Sequence, residues 1–289
     1  MTSARDLAEL VRLPAALTVP GDVLAGAAAA GWPSGRRTAA LPAASVCLYW
    51  AGMALNDYAD RELDAIERPE RPIPSGRVPA GHALALAAAL SAAGLGLAAC
   101  AGRQALAVAL PLVGAVWAYD LLAKPTPLGP VVMGATRGLD VLLGAAGNLG
   151  AGALPALAVT GHTIAVTALS RGEVHGSRPA VAATALAGTL GIASLVGARA
   201  GRRAGRGIVV RAATAALAAT YAVAVGRAQA GAIQHPDAGT VRRATGAGIR
   251  GLIPLQAALS AGAGSLPSAA ALMAAGPVAR VAARKISPT

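Results

Sequence analysis

Apolar residues fall along the chain in long blocks, separated by short polar joints. The blocks run approximately over 13–31, 38–57, 81–101, 104–122, 128–148, 155–169, 180–198, 208–227 and 249–273, with Gly and Pro clusters or charges at the joints. About 20 consecutive apolar residues cross a bilayer as a helix, and several blocks reach or approach that length. The pattern therefore predicts an all-α integral membrane protein of about nine transmembrane helices. No Pro/Ser-rich linker or composition shift divides the chain, so residues 1–289 read as one domain. Alanine and glycine dominate the blocks, which favours close helix–helix packing in lipid.

Composition agrees. The chain is 55% hydrophobic and 13% charged, about half the charge of an ordinary soluble domain. Its net charge of +12 would suggest nucleic acid in a soluble protein. Here the basic residues sit between apolar blocks, so they read as topology signals and headgroup contacts, with no nucleic-acid partner. The Arg-rich run from Arg199 to Arg211 reads as a solvated loop. Cys47 and Cys100 both lie inside apolar blocks and make no disulfide framework. The N-terminus mixes Asp6 and Glu9 with Arg5 and Arg12, which is unlike the purely basic start of a signal peptide.

Basic residues divide almost evenly between the two sides of this topology and do not fix orientation. The acids do not divide evenly. Of the 13 acids, all but Asp22 and Asp140 fall on the side of the 58–80 loop. The segments 58–80, 119–128, 170–179 and 228–247 are expected on that one face.

The chemistry concentrates in Asn56 to Arg77, NDYADRELDAIERPERPIPSGR. If the second span continues as a helix, Asp57, Asp60 and Asp64 stand at i, i+3 and i+7 on one face, where like charges repel unless a cation intervenes. Asn56 adds an oxygen beside them. Mg²⁺ takes oxygen ligands, often one or two carboxylates plus substrate phosphates. Carboxylates at a membrane boundary thus suggest a diphosphate carrying a lipid tail. Arg68, Arg71 and Arg77 follow, and their guanidinium forks suit phosphate oxygens. The ordinary alternatives are a solvated acidic loop and interfacial arginines.

NDYADRELD resembles NDxxDxxxD, the first Asp-rich motif of the UbiA superfamily of intramembrane prenyltransferases. RPERPIPSG resembles that family's continuation, and YDLLAK from Tyr119 to Lys124 resembles its YxxxxK element. The resemblance implies a helical bundle around a central cavity, with a cytoplasmic polar cap and a lateral opening. The protein would then lie in the cell membrane, with its N-terminus and 58–80 loop cytoplasmic. The resemblance also implies Mg²⁺-assisted loss of diphosphate from an allylic prenyl diphosphate, leaving a carbocation for an acceptor to attack. Asp57, Asp60 and Asp64 would be the metal ligands. Arg68, Arg71 and Lys124 would hold the departing diphosphate, with Asn56 and Tyr119 beside it.

The family's second acidic motif is reduced. The loop after the sixth block reads LSRGEVHGSRP, with Glu173 as its one carboxylate. Glu173 would hold a second Mg²⁺, and Arg171 and Arg178 would supply charge that the missing acids' metal otherwise brings. This segment looks like that of a divergent, EboC-like subgroup. A non-enzymatic lipid-binding or export component of the same fold is the alternative, and a transporter using intramembrane charges ranks behind it.

Among the ionisable residues inside blocks, Asp22 follows a Pro–Gly pair, and Arg137 and Asp140 are spaced to pair with each other. The chain has three Trp, four Tyr and no Phe. Tyr49, Trp50, Tyr58, Trp117 and Tyr119 lead into the acidic loop or toward Lys124. Trp50, about 10 Å of helix from Asp57, is the expected aromatic face for a carbocation.

Overall fold

The computed structural model describes residues 2–13, 19–31, 36–202 and 207–286. The start of the first apolar block, at 14–18, and the centre of the Arg-rich run, at 203–206, lie outside the described residues. Twelve helices follow one another with no strand among the described residues. They are α1 (Ala4–Leu10), α2 (Gly21–Ala29), α3 (Arg36–Ala59), α4 (Arg61–Glu67), α5 (Ala80–Ala101), α6 (Arg103–Ala118), α7 (Gly129–Gly144), α8 (Leu149–Ser170), α9 (Pro179–Arg202), α10 (Ile208–Gln234), α11 (Ala238–Gly262) and α12 (Leu266–Ile286). A π-helical turn, Tyr119–Ala123, continues α6.

Helix ends follow local chemistry. Ser3 and Asp6 form a reciprocal capping box on α1. Asn148 caps α8 and Asp237 caps α11 through backbone N–H groups. Six stretches among the described residues are long and apolar enough to cross a membrane: Ala39–Ala59, Ala80–Ala101, Arg103–Ala123, Leu149–Ser170, Pro179–Arg199 and Ile208–Gln234. The count of nine spans is not established. Helix α2 has 9 residues and α7 has 16, less than a full crossing each.

Two boundaries differ from the sequence expectation. The 228–247 segment is not a loop. Helix α10 runs to Gln234 and α11 begins at Ala238, so only 235–237 separate them. Nor is 249–273 one helix, because the chain turns between Gly262 and Leu266 with Gly264 at φ 94°. Arg242 and Arg243 look like loop residues in sequence, yet they occupy the exposed face of α11 while Val241, Ala244 and Thr245 are buried.

Small residues set the packing. At the crossing of α2 with α7, a Cβ on Gly26 would lie 1.9 Å from the Val141 carbonyl oxygen. A Cβ on Gly144 would lie 2.0 Å from that of Val23. The two backbones meet through reciprocal glycines, the small-residue contact that membrane helices use in place of a hydrophobic drive. Between α8, α10 and α11, buried His162 reaches the Tyr221 hydroxyl at 2.9 Å and the Gly248 carbonyl at 3.0 Å.

The four segments expected on one face are joined there by direct bonds. Lys124 pairs with Asp60, and Arg171 donates to the Lys124 and Thr126 carbonyls. Ser177 N donates to Pro236 O at 2.9 Å, and Arg242 donates to the Glu173 carbonyl at 3.1 Å.

Candidate functional site

Helix α3 delivers Asn56 and Asp57 to this face, and Asp60 joins it to α4. The helical bonding continues through the junction: Asp60 N donates to Asn56 O at 2.9 Å, and Asp64 N to Asp60 O at 2.8 Å. The acidic stripe is therefore real, but its members divide. Asp57 and Asp64 are 4% and 3% exposed. A single nitrogen, Arg71 Nη1, lies 3.4 Å from Asp57 Oδ1 and 2.6 Å from Asp64 Oδ2. Two buried carboxylates thus converge on one cationic atom. Arg12 adds a second cation to Asp57 at 3.1 Å, whereas Asp60 turns to Lys124.

Below the acids lies a cavity of about 240 Å³. Its mouth carries Arg12, Asn56, Tyr119 and Asp120, its middle is apolar (Leu48, Met53, Leu112, Val116, Met133), and its floor carries Ser45, Thr136, Arg137 and Asp140. The π turn shapes the mouth. Lys124 N bonds to Tyr119 O across five residues at 2.9 Å, and the widened turn sets Tyr119 and Asp120 toward the cavity. Such insertions are frequent at functional sites. Asn56 Nδ2 donates to Asp120 Oδ1 at 3.1 Å, tying α3 to that turn.

Several expected residues are placed differently. Trp50 does not line the cavity, and its buried indole N–H has no partner among the described residues. Tyr49, the next residue round the helix, lines it instead. Arg68 caps α4 by donating its backbone N–H to the Asp64 carbonyl at 2.8 Å, but its side chain is exposed and forms no ion pair with the acids. Arg178 is exposed too, and Arg171 spends its donors on loop carbonyls. No contact brings the Glu173 carboxylate to Asp57, Asp60 or Asp64, and among the described residues no group of three or more acid, His or Cys side chains is placed to hold a metal. The expected four-carboxylate set is therefore not assembled, because Asp60 is drawn to Lys124 and Glu173 belongs to a separate turn. A divalent cation fits Asp57 and Asp64 alone: both are hard oxygen donors that already converge on one positive atom, and Mg²⁺ needs no more than two carboxylates when phosphates complete its shell.

Sequence reasoning also missed Arg12, Asp120, Tyr49 and the partner of Arg137. Arg12 was visible only as a charge at a span border. Its φ of 50°, rare for a residue with a Cβ, carries its side chain to Asp57. Asp120 was legible as a carboxyl inside the YDLLAK segment. Arg137 does not pair with Asp140 but with Asp22 on α2, Nε to Oδ2 at 2.9 Å.

These features define a multi-pass helical membrane protein with an acidic, cation-bridged mouth over an apolar cavity. The UbiA prenyltransferase family's sequence profile matches residues 16–232. The chain belongs to that family. It is 40% identical over 129 residues to the digeranylgeranylglyceryl phosphate synthase of Methanopyrus kandleri, covering 44% of this chain and 46% of that one. It is 40% identical over 98 residues to the bacteriochlorophyll synthase 33 kDa chain of Rhodobacter capsulatus, 32% of each chain. The matches to the curated relatives thus span about half of their length or less. The fold is similar to that of the UbiA homologue of Aeropyrum pernix, with a TM-score of 0.69 and 24% identity over 84% of this chain and 96% of that one. A solved digeranylgeranylglyceryl phosphate synthase gives the same TM-score, 0.69, at 19% identity over 91% of this chain and 99% of that one.

Proposed function

We propose that this protein transfers an isoprenoid chain from an allylic prenyl diphosphate to an acceptor within the membrane, as a single domain with its acidic face cytoplasmic in the cell membrane. The observation that carries the reading is the convergence of Asp57 and Asp64 on one cationic atom at the mouth of an apolar cavity. Magnesium held there by Asp57 and Asp64 would supply the positive charge that makes diphosphate a competent leaving group. Arg12, Arg71 and Lys124, which pair with the acids there, would hold the diphosphate oxygens, the preorganised charge that carries much of catalysis. Apolar walls keep water from the allylic carbon, and the rings of Tyr49 and Tyr119 face the space where positive charge develops.

The second loop favours a different reading. Among the described residues Glu173 joins no group of acids, as expected of a lipid-binding descendant that no longer performs transfer. Incubating the purified protein with C10, C15 and C20 prenyl diphosphates and Mg²⁺ separates the two readings. Transfer predicts diphosphate release with at least one chain length. Saturable binding without release would favour the lipid-binding descendant.

A further inference from the structure

The last arginine of the Asn56–Arg77 segment spends its guanidinium on α1. Arg77 Nη1 donates to Asp6 Oδ1 at 2.8 Å and to Glu9 Oε2 at 2.7 Å, and Nη2 donates to Glu9 Oε1 at 3.0 Å. The other N–H groups go to the turn that carries the residue: Nη2 to the Glu70 carbonyl at 2.7 Å and Nε to Ser75 Oγ at 3.0 Å. Asp6 and Glu9 stand at i and i+3, on one face of α1. Isolated surface ion pairs contribute little, but a fork that takes one carboxylate with both nitrogens and reaches a second is the geometry that does hold. The next residue, Val78, is buried and packs in the same apolar cluster as Leu10, the buried last residue of α1. Arg77 and Val78 thus grip α1 from its polar and its apolar side. A helix of 7 residues does not persist alone in water, so this grip keeps α1 on the ends of α3 and α5.

What α1 delivers is Arg12. Its Nη2 meets Asp57 Oδ1 at 3.1 Å and its Nη1 meets Met53 Sδ at 3.2 Å, at the mouth of the cavity. It does so from a φ of 50°. A residue with a Cβ stays in that region only where its surroundings over-determine it. Here the determinants are the anchored α1 behind it and Asp57 ahead of it.

We propose that Arg77 is a positioning residue for the mouth: by clamping Asp6 and Glu9 it holds α1, and through α1 it sets Arg12 on Asp57. Two arginines of one segment then have different tasks. Arg71 neutralises Asp57 and Asp64 directly, whereas Arg77 works at one remove. Loss of the clamp has two effects of opposite sign. Arg12 competes with a divalent cation for Asp57, so its release favours Mg²⁺ alone. Arg12 also attracts diphosphate oxygens, so its release disfavours the anion. General damage to the mouth weakens both. This inference rests on the transfer reading and adds a residue to it.

The test is equilibrium binding to the purified full-length protein in nanodiscs, with Mg²⁺ alone and with inorganic pyrophosphate at saturating Mg²⁺ as the probes. Arg77→Gln removes the fork. Asp6→Asn/Glu9→Gln removes its two acceptors but leaves the Arg77 bonds to Glu70 and Ser75, and with them the turn that carries Arg71. In both variants pyrophosphate is expected to bind at least fivefold more weakly and Mg²⁺ alone at least twofold more tightly. Hydrogen exchange of residues 4–12 is expected to quicken at least tenfold, with that of 39–59 unchanged. Arg12→Met should reproduce both binding shifts. Adding Arg77→Gln to it should change pyrophosphate affinity less than twofold, because the clamp acts through Arg12. Parent-like binding or exchange in Asp6→Asn/Glu9→Gln, weakening of both probes together, or multiplied losses in Arg12→Met/Arg77→Gln would overturn the proposal. Failure of pyrophosphate to bind the parent would sink the transfer reading instead, and the clamp is then decided by the Mg²⁺ and exchange shifts, which need no diphosphate.

Discussion

Arg71 is the sharpest point at which to perturb the mouth. One of its nitrogens neutralises two carboxylates that are almost wholly buried. Among the described residues, Arg71→Ala takes from Asp64 its one ion-pair partner and leaves Asp57 with Arg12 alone. Removing one partner of a fully buried pair costs about 3–5 kcal/mol. The Arg71 side chain is 19% exposed at an open mouth, so solvent screening brings the figure to about 2 kcal/mol. For a chain of this size, that lowers Tm by roughly 4–8 °C. The diagnostic step is to add magnesium. If Asp57 and Asp64 are divalent-cation ligands, Mg²⁺ takes the place of the lost guanidinium. At ten times its Kd it returns about 1.4 kcal/mol. The assay is thermal unfolding of parent and Arg71→Ala across a Mg²⁺ titration at constant ionic strength, with Asp57→Asn/Asp64→Asn/Arg71→Ala as the control. Recovery in the single variant and none in the control is expected. An Arg71→Ala protein whose Tm ignores Mg²⁺ would refute the assignment of this pair as the metal site.

Other consequences can be measured independently. Glu173→Gln should leave any diphosphate release within about twofold, the range of an ordinary surface change; a loss of an order of magnitude would restore Glu173 to the reacting centre. Gly144→Ala drives a Cβ into the Val23 carbonyl and should cost about 1–3 kcal/mol by overpacking, read as a lower Tm, whereas Gly96→Ala, which meets open space, should not lower it. The carboxyl of Asp6 is held down to about 2 by hydrogen bonds from Ser3 and by Arg77. A depressed carboxyl stabilises the fold fully above its ordinary value and loses that contribution as it protonates, so docking of α1 should persist above about pH 4 and weaken as pH falls through about 2. Hydrogen exchange of residues 4–10 checks this, and protection unchanged down to pH 2 would contradict it.

Much of the architecture was legible because it depends on one-dimensional signals. Apolar block length gave the helices, and the i, i+3, i+7 spacing put Asp57, Asp60 and Asp64 on one stripe. One-sided acids gave the shared face that Lys124, Arg171, Ser177 and Arg242 now stitch together. What escaped depends on partners distant in sequence. Arg137 chose Asp22 over its helical neighbour Asp140 because α2 packs against α7 through glycines. Arg12 reaches Asp57 only through an uncommon backbone turn. Tyr49 rather than Trp50 faces the cavity because one residue turns a helix by about 100°, and spacing to Asp57 alone could not fix that rotation. The 228–247 error arose from reading charge as loop, when the charges ride on the exposed side of a continuous helix.

If the proposed function holds, Asp57 and Asp64 together sustain prenyl-diphosphate chemistry. Single-turnover release of diphosphate, with enzyme in excess over the best-bound prenyl diphosphate, tests it most directly. Mg²⁺-dependent release by the parent is expected, with its loss in Asp57→Asn and in Asp64→Asn while both variants stay folded. Release that persists undiminished in the double variant, or that needs no divalent cation, would contradict it.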